Sequence, residues 1–386
     1  MKIFNISSII PLDNLKREND IILRIQDHLY KNYQFKFAIA KSLPYVPLLL
    51  TKINKKWSTY YKYQKKGKID VEGYDTIIYP WLMLPTSNFW INYFLIPLNW
   101  IWFHLKVKKK LANKIKNANL IISQNLIPDA IIAYWFSKKL KKPFIINLRG
   151  DSRPVWFRLP FLNRIIQSAD AIITHSPTNF NRFKVNYDVK LIPHPVDEIF
   201  FRSKKKNQNK IHLLSVCRLI DLKNLDWVLQ SLAKLKRQGY EFEYKIVGDG
   251  PEFENLKKLV AELELTQDVT FLGYLDRKLV AERMYEADIF IMPSYPETLG
   301  RVFLEAAAAG CLIIGHENTG VDGLFKHEDS AFFVKKDNIT KYLNKAIDIN
   351  GKSEFDQIVN NSINKIKDLT WDRIGIVYHN LYKELA

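Results

Sequence analysis

Cysteine is nearly missing from this 386-residue chain: only Cys217 and Cys311 occur, each in an apolar run that reads as a strand. A disulfide framework or a zinc site is therefore excluded, and the two thiols are expected to be buried and free in a reducing compartment. Also missing are a basic leader and a small-residue cleavage site around the opening "MKIFNISSIIPLDN", so the protein reads as unsecreted. No internal repeat appears beyond a general alternation of strand and helix patterns, and there is no helix-turn-helix, zinc-finger or RNA-binding aromatic signature. Acid is scarce in one half only. Residues 1–199 hold 31 Lys+Arg against 13 Asp+Glu, an excess of 18, while residues 200–386 hold 27 of each. An excess confined to one half points to a large anionic partner for that half, a membrane surface or a nucleic acid.

What is present suits about two domains of the usual size. With 47% apolar and 13% aromatic residues the chain can bury real cores. Short apolar runs recur between helical patterns: "KIFNIS", "FKFAIA", "TIIYP", "NLIIS", "PFIINL", "AIIT" and "VKLIP" in the first half, then "IHLLSV", "EYKIVG", "VTFLG", "DIFIM" and "CLIIG". Runs of this length, buried on both faces and separated by helices, build parallel sheets, so the expected fold class is α/β with two doubly wound domains. The polar segment "FFRSKKKNQNK", Phe200 to Lys210, reads as the linker. The expected division is 1–199, 200–370 and a closing amphipathic helix, 371–386, in which Trp371, Ile374, Val377, Tyr378 and Leu381 share a face.

No clean apolar run reaches the ~18 to 20 residues of a membrane span. The nearest approach is "NFWINYFLIPLNWIWFHLKVKKKLANKIK", Asn88 to Lys116, where Asn92, Pro97 and Asn99 interrupt the run from Phe89 to Leu105. It reads as a core helix with an amphipathic surface portion, or as a helix lying in the membrane interface. In the second case Trp90, Trp100 and Trp102 would sit at headgroup level and Lys106 to Lys110 on anionic lipid.

The chemistry concentrates in "IMPSYPETLGRVFLEAAAAG", Ile291 to Gly310, where a strand ends at Pro293 and a helix begins near Gly300. Ligands of an open parallel sheet bind beyond the carboxyl ends of its strands, where Glu297 falls. A helix N-terminus at Leu299, Gly300 and Arg301 attracts phosphate, and Gly300 lets the backbone approach it. Glu305, eight residues past Glu297 with seven between them, reaches another part of the same ligand. Carboxylates that accept hydroxyls beside an anion-binding turn describe a nucleotide sugar.

Taken singly, these features are ordinary: Arg218 and Lys223 could be a solvated pair, and "VGDGP" a strand followed by a turn. Together they resemble the retaining glycosyltransferases of family 4, which have two Rossmann-like domains facing a central cleft in the GT-B arrangement. "PSYPETLGRVFLEAAAAG" carries the double-glutamate signature. "LLSVCRLIDLKNLDWVLQSL" is similar to the family's segment holding the diphosphate, with Arg218 and Lys223 as its basic pair. "YKIVGDGPEFENLKKL", with Gly248, and "VTFLGYL", with Tyr274, follow in the family's order. "IPDAIIAYWFSKKLKKPFIINLRGD", "LIPHPVDEIFF" and the closing "WDRIGIVYHNLYKEL" are similar to weaker family patterns, and the resemblance implies that the last helix packs back on the first domain.

The resemblance implies roles. Arg218, Lys223 and Glu297 would be catalytic; Gly248, Tyr274, Leu299, Gly300 and Glu305 would bind a UDP- or GDP-linked donor, with Glu305 on the ribose. Neither cofactor nor metal is implied, and there is no Asp-x-Asp pair. The chain departs from the family in the first domain and near the sugar. "SSIIPLDNLKREND" stands where two glycines are common, Arg149, Gly150 and Asp151 replace a histidine, glycine and acid, and "TGVDG" replaces the usual Gly-Gly-x-Pro-Glu turn. Arg149 and Asp151 are thus acceptor-side candidates, Arg149 as a holder of anionic or hydroxyl-rich groups. The expected reaction is sugar transfer with retention to a glycan, carried on a lipid at the inner face of the cytoplasmic membrane. A glycosidase is set aside because it binds no phosphate, and a phosphorylase because it needs a pyridoxal lysine and greater length. A nucleotide-sugar 2-epimerase of the same fold and a non-enzymatic nucleic-acid binder are the alternatives; no nucleic acid partner is expected.

Overall fold

A computed structural model describes residues 1–10, 21–52, 55–71, 73–81, 96–149, 159–201 and 210–386. Two compact units result: Met1–Thr174 with Phe183–Lys190 and Gly375–Ala386, and His175–Arg182 with Leu191–Ile374.

The first unit is built on β1 (Lys2–Ser7), β2 (Lys36–Pro44), β3 (Lys68–Val71), β4 (Tyr74–Trp81), β5 (Leu120–Ser123), β6 (Phe144–Leu148), β7 (Ala171–Thr174) and β8 (Val189–Leu191). They lie in the order β3-β4-β2-β1-β5-β6-β7-β8. Pairing is parallel from β4 through β7, and β3 is antiparallel to β4. Seven of these strands are the apolar runs of the sequence. β3, "KIDV", alternates exposed and buried residues at a sheet edge and carries no such run.

The second unit holds β9 (Ile211–Val216), β10 (Phe242–Val247), β11 (Val269–Gly273), β12 (Ile289–Met292), β13 (Leu312–His316) and the three-residue β14 (Phe332–Val334). The order is β11-β10-β9-β12-β13-β14, all parallel. Helices such as Leu225–Arg237 and Ile339–Asp348 bury Val228, Leu229, Leu232, Leu343 and Ala346 in one apolar core with the strands. Both sheets reverse direction of growth once, between β1 and β5 and between β9 and β12. At such a switch point flanking loops diverge and leave a crevice.

The units divide at Leu191 rather than at residue 200. Val196 N–H donates to Leu369 O at 2.7 Å, and Asp197 pairs with Arg277, so this segment packs with the second unit. Residues 202–209 of the expected linker lie outside the described residues. The last helix, Trp371–Leu385, changes units at Gly375 rather than at Trp371. Trp371 Nε1 is held by Asp197 Oδ1 at 2.6 Å. The buried face of the helix is Ile374, Gly375, Tyr378, Leu381 and Tyr382, and Val377 points outward. Gly375 belongs to this face because a Cβ there would meet His28 Nε2 at 2.4 Å. Both cysteines are free; Cys217 follows β9 and Cys311 precedes β13 instead of lying within them.

Of the segment 88–116, residues 88–95, including Trp90, lie outside the described residues. From Ile96 the chain is helical to Lys116, with a π-turn at Phe103–Val107. No described helix is long and apolar enough to cross a membrane.

Candidate functional site

At the switch point of the second sheet, β9 runs into Cys217 and Arg218, then a tight turn, Asp221–Lys223, and the helix Leu225–Arg237. Asn224 starts that helix with φ +51°, and its Nδ2 donates to Pro293 O at 2.8 Å. Tyr295 N–H donates to Leu222 O at 2.9 Å. These two bonds fasten the loop after β9 to the loop after β12. Across the seam Lys223 Nζ donates to Glu297 Oε2 at 2.7 Å. The same carboxylate accepts from Ser294 Oγ at 3.0 Å and from the Thr298 N–H at 3.1 Å. Arg218 is exposed beside them and makes no ion pair among the described residues.

Gly300, at φ +64°, starts the helix Arg301–Ala308, and a Cβ on it would meet the Phe303 ring at 2.6 Å. Leu299 is buried just before it. Phe303, Leu304, Ala306, Ala307 and Ala308 bury this helix, and Glu305 is buried among them. A buried carboxylate needs a cation. Arg277 supplies it: its Nη2 lies 2.9 Å from Glu305 Oε1 and 2.6 Å from Asp197 Oδ2. Burial works against the charge of Arg277, but Glu305 and Asp197 outweigh it and hold its pKa above the ordinary value. Glu305 is thus one member of a network with Arg277, Asp197 and Trp371.

Glycines let these loops close on one another. Gly248, at φ +132°, would place a Cβ 1.8 Å from Cys217 O, and its N–H donates to Gly273 O at 2.7 Å. Gly250 meets Leu219 O in the same way, at 2.1 Å. In "TGVDG", Gly320 would meet Thr298 O at 1.6 Å, and its N–H donates to Glu297 O at 3.0 Å. Thr178 Oγ1 donates to Thr319 O and Asp322 O at 2.8 and 3.0 Å, which pins that turn. Tyr274 stands exposed at the end of β11. Among the described residues no three His, Cys, Asp or Glu side chains are grouped to hold a metal ion.

The switch point of the first sheet is different. Arg149, after β6, donates from Nε to Gln124 Oε1 at 2.7 Å. It lines a cavity of about 10 Å³ with Gln26, Asn147 and Tyr378, the size of one water molecule. Asp151 and Gly150 lie outside the described residues, as do residues 11–20 of the loop after β1. Fully buried Asp129, in the turn after β5, accepts from the Ser8 N–H at 2.9 Å and the Ser8 hydroxyl at 3.1 Å. Its Oδ1 has no partner among the described residues. Burial pushes its carboxyl up to about 7, against the lowering effect of the Ser8 bonds and of Lys41. Lys41 Nζ donates to Ser8 O at 3.1 Å.

Lys223, Glu297, Gly300 and Arg218 are therefore neighbours at one switch point, with Gly248 and Tyr274 on the adjoining strand ends. Arg277, Asp197 and Asp129 were missed in the sequence. Arg277 follows "GYLD" at a helix start capped by Asp276, a place where nothing local distinguishes a ligand from a surface charge.

Residues 196–363 match the family model described as glycosyl transferases group 1. N-acetyl-alpha-D-glucosaminyl L-malate synthase of Bacillus anthracis is 27% identical over 268 residues, 64% of this chain and 70% of that protein. The amylovoran biosynthesis glycosyltransferase AmsK of Erwinia amylovora is 31% identical over 128 residues, 32% of this chain and 31% of that protein. Among solved structures, Anabaena Alr3699/HepE in complex with UDP superposes with a TM-score of 0.71 at 16% identity, covering all of both chains. The lipopolysaccharide outer core galactosyltransferase WaaB follows with a TM-score of 0.69, also at 16% identity and full coverage of both. The fold is thus the GT-B class, with two Rossmann-like domains.

Proposed function

We propose, from the match of residues 196–363 to the family model described as glycosyl transferases group 1, that this chain is a glycosyltransferase of that kind and moves a sugar from a UDP- or GDP-linked donor to a hydroxyl of a glycan, with retention at the anomeric carbon. The observation that carries the reading is the meeting of Lys223 and Glu297 at 2.7 Å at a switch point, beside Arg218 and the helix start at Gly300. A donor whose phosphate lies on Lys223 and whose sugar hydroxyls lie on Glu297 bridges this pair rather than leaving either charge stranded. As the bond to the anomeric carbon breaks, the diphosphate gains negative charge, and Arg218, Lys223 and the helix terminus stabilise it. In this proposal those side chains meet that charge, with neither metal nor cofactor taking part. The leaving phosphate takes the proton of the acceptor hydroxyl. Glu305, fixed through Oε1 by Arg277, offers Oε2 to the ribose hydroxyls.

The charge excess of residues 1–199 supports an acceptor carried on lipid at the inner face of the cytoplasmic membrane, in surface polysaccharide synthesis. The relative named for amylovoran biosynthesis supports the polysaccharide part of this proposal. Incubation of the purified chain with labelled nucleotide sugars and a lipid extract tests the reading. The expected products are a glycosylated lipid with the donor's anomeric configuration and one free nucleotide diphosphate per transfer. Inverted product would refute retention, and a C2-epimerised sugar in place of transfer would establish the epimerase alternative.

A further inference from the structure

The helical segment Ile96–Lys116 of the first unit buries one face and leaves another uncovered. Asn99, Phe103, Val107, Leu111 and Ile115 recur every fourth residue and are buried. Phe103 meets Trp135 and Phe136 edge-on at 5.3 and 5.8 Å. On the outer side Leu98, Ile101 and Leu105, spaced three and four apart, are 52%, 57% and 71% exposed. Further on along the helix come Lys108, Lys109 and Lys110. Tyr45 lies 5.2 Å from the Trp102 ring of this helix, and the turn that follows it exposes Leu48 and Leu49 at 62% and 87%. Successive turns of exposed aliphatic side chains with a basic end mark an interaction surface.

The charges around it are crowded. Lys108 and Lys139 Nζ lie 5.1 and 5.0 Å from the Trp135 ring centre, and Lys138 Nζ lies 5.7 Å from that of Tyr134. Repulsion from Lys139 holds the Lys108 pKa below its ordinary value. An anion shared by the two ammonium groups relieves that repulsion. A second copy of this chain would bring lysine against lysine, whereas an anionic leaflet complements them.

We propose that this face docks on an anionic lipid leaflet, with Leu98, Ile101 and Leu105 entering the acyl boundary and Lys108, Lys109 and Lys139 on the headgroups. The inference deepens the reading of a lipid-carried acceptor and rests on it.

The test is flotation of the full chain with vesicles of phosphatidylglycerol and phosphatidylethanolamine, or of phosphatidylcholine alone, at low and high salt. The expected result is recovery with the anionic vesicles, reversed by salt, and little with the neutral ones. A variant with Leu98→Glu, Ile101→Glu and Leu105→Glu, and another with Lys108→Glu and Lys139→Glu, should each lose about tenfold or more of the bound fraction. Both should keep the melting temperature and nucleotide-induced thermal shift of the unaltered chain, because Arg218 and Lys223 lie in the other unit. Equal recovery on both vesicle types, or a glutamate variant that floats like the unaltered chain, would overturn the proposal. So would a dimer, seen by light scattering, that Ile101→Glu dissolves in a chain that binds no vesicle. Charge-dependent flotation without any nucleotide-induced shift would uphold the docking surface and count against the donor site alone.

Discussion

The two sheets share a topology and differ in what their switch points hold. At the second, a lysine and a glutamate meet at 2.7 Å beside an exposed arginine and a helix start. At the first, Asp129 is sealed under Ser8 and Lys41 with its carboxyl pushed up to about 7. One edge keeps a charged side chain, Arg218, exposed beside an ion pair, and the other buries a carboxyl whose pKa burial raises to about 7. Among the described residues, then, one fold carries at its two switch points a paired lysine and glutamate beside an exposed arginine and, in the other sheet, a buried carboxyl.

The strongest way to break this contrast is to remove the cations. Lys223→Ala should cost about 10²–10³-fold in transfer rate, because it deletes transition-state stabilisation and strands Glu297. Arg218→Ala should cost a comparable factor in rate with little change in melting temperature, because Arg218 is exposed and makes no ion pair among the described residues. Steady-state kinetics beside thermal melts separates the two.

Gly248→Ala tests whether close approach of the β9 and β10 ends is what shapes the second edge. With a Cβ 1.8 Å from Cys217 O at φ +132°, it should destabilise by about 3 kcal/mol, read by urea unfolding. Arg277→Ala should cost about 2 kcal/mol after allowance for its partial exposure, since Asp197 and Glu305 lose their shared cation. Restoring only the charge with Arg277→Lys should recover part of that, because lysine cannot span both carboxylates with a planar fork.

The smallest effect sharpens the first edge. The folded-state pKa of Asp129 is raised above the unfolded value, so its protonation favours the folded state. Its contribution to stability is complete below the unfolded pKa of about 3.9 and is lost as pH rises through about 7. Between about pH 6 and pH 8 the chain should lose about 1 kcal/mol from this group, and Asp129→Asn should flatten that part of the profile.

The fold was legible because strands buried on both faces must be apolar throughout, and such runs stand out between helical patterns. β3 escaped because it alternates at an edge, and β14 was not singled out either. That Lys223 and Glu297 fall near one another was readable, since both follow strand ends that a doubly wound order places side by side. The Arg277 network was not: its members are residues 197, 277, 305 and 371, and only tertiary structure gathers them. The outward Val377 has a similar cause. Apolar spacing counts a valine and overlooks a glycine, but Gly375 is what fits against His28.

The most direct measurement is the thermal shift of the purified chain against UDP-, GDP-, ADP-, CMP- and dTDP-sugars, with Arg218→Ala and Lys223→Ala alongside. Stabilisation by a UDP- or GDP-sugar, lost in both variants, is the predicted result. Shifts that persist in both variants, or no shift with any donor beside tight, salt-sensitive DNA binding, would contradict the placing of the donor at the second sheet's switch point.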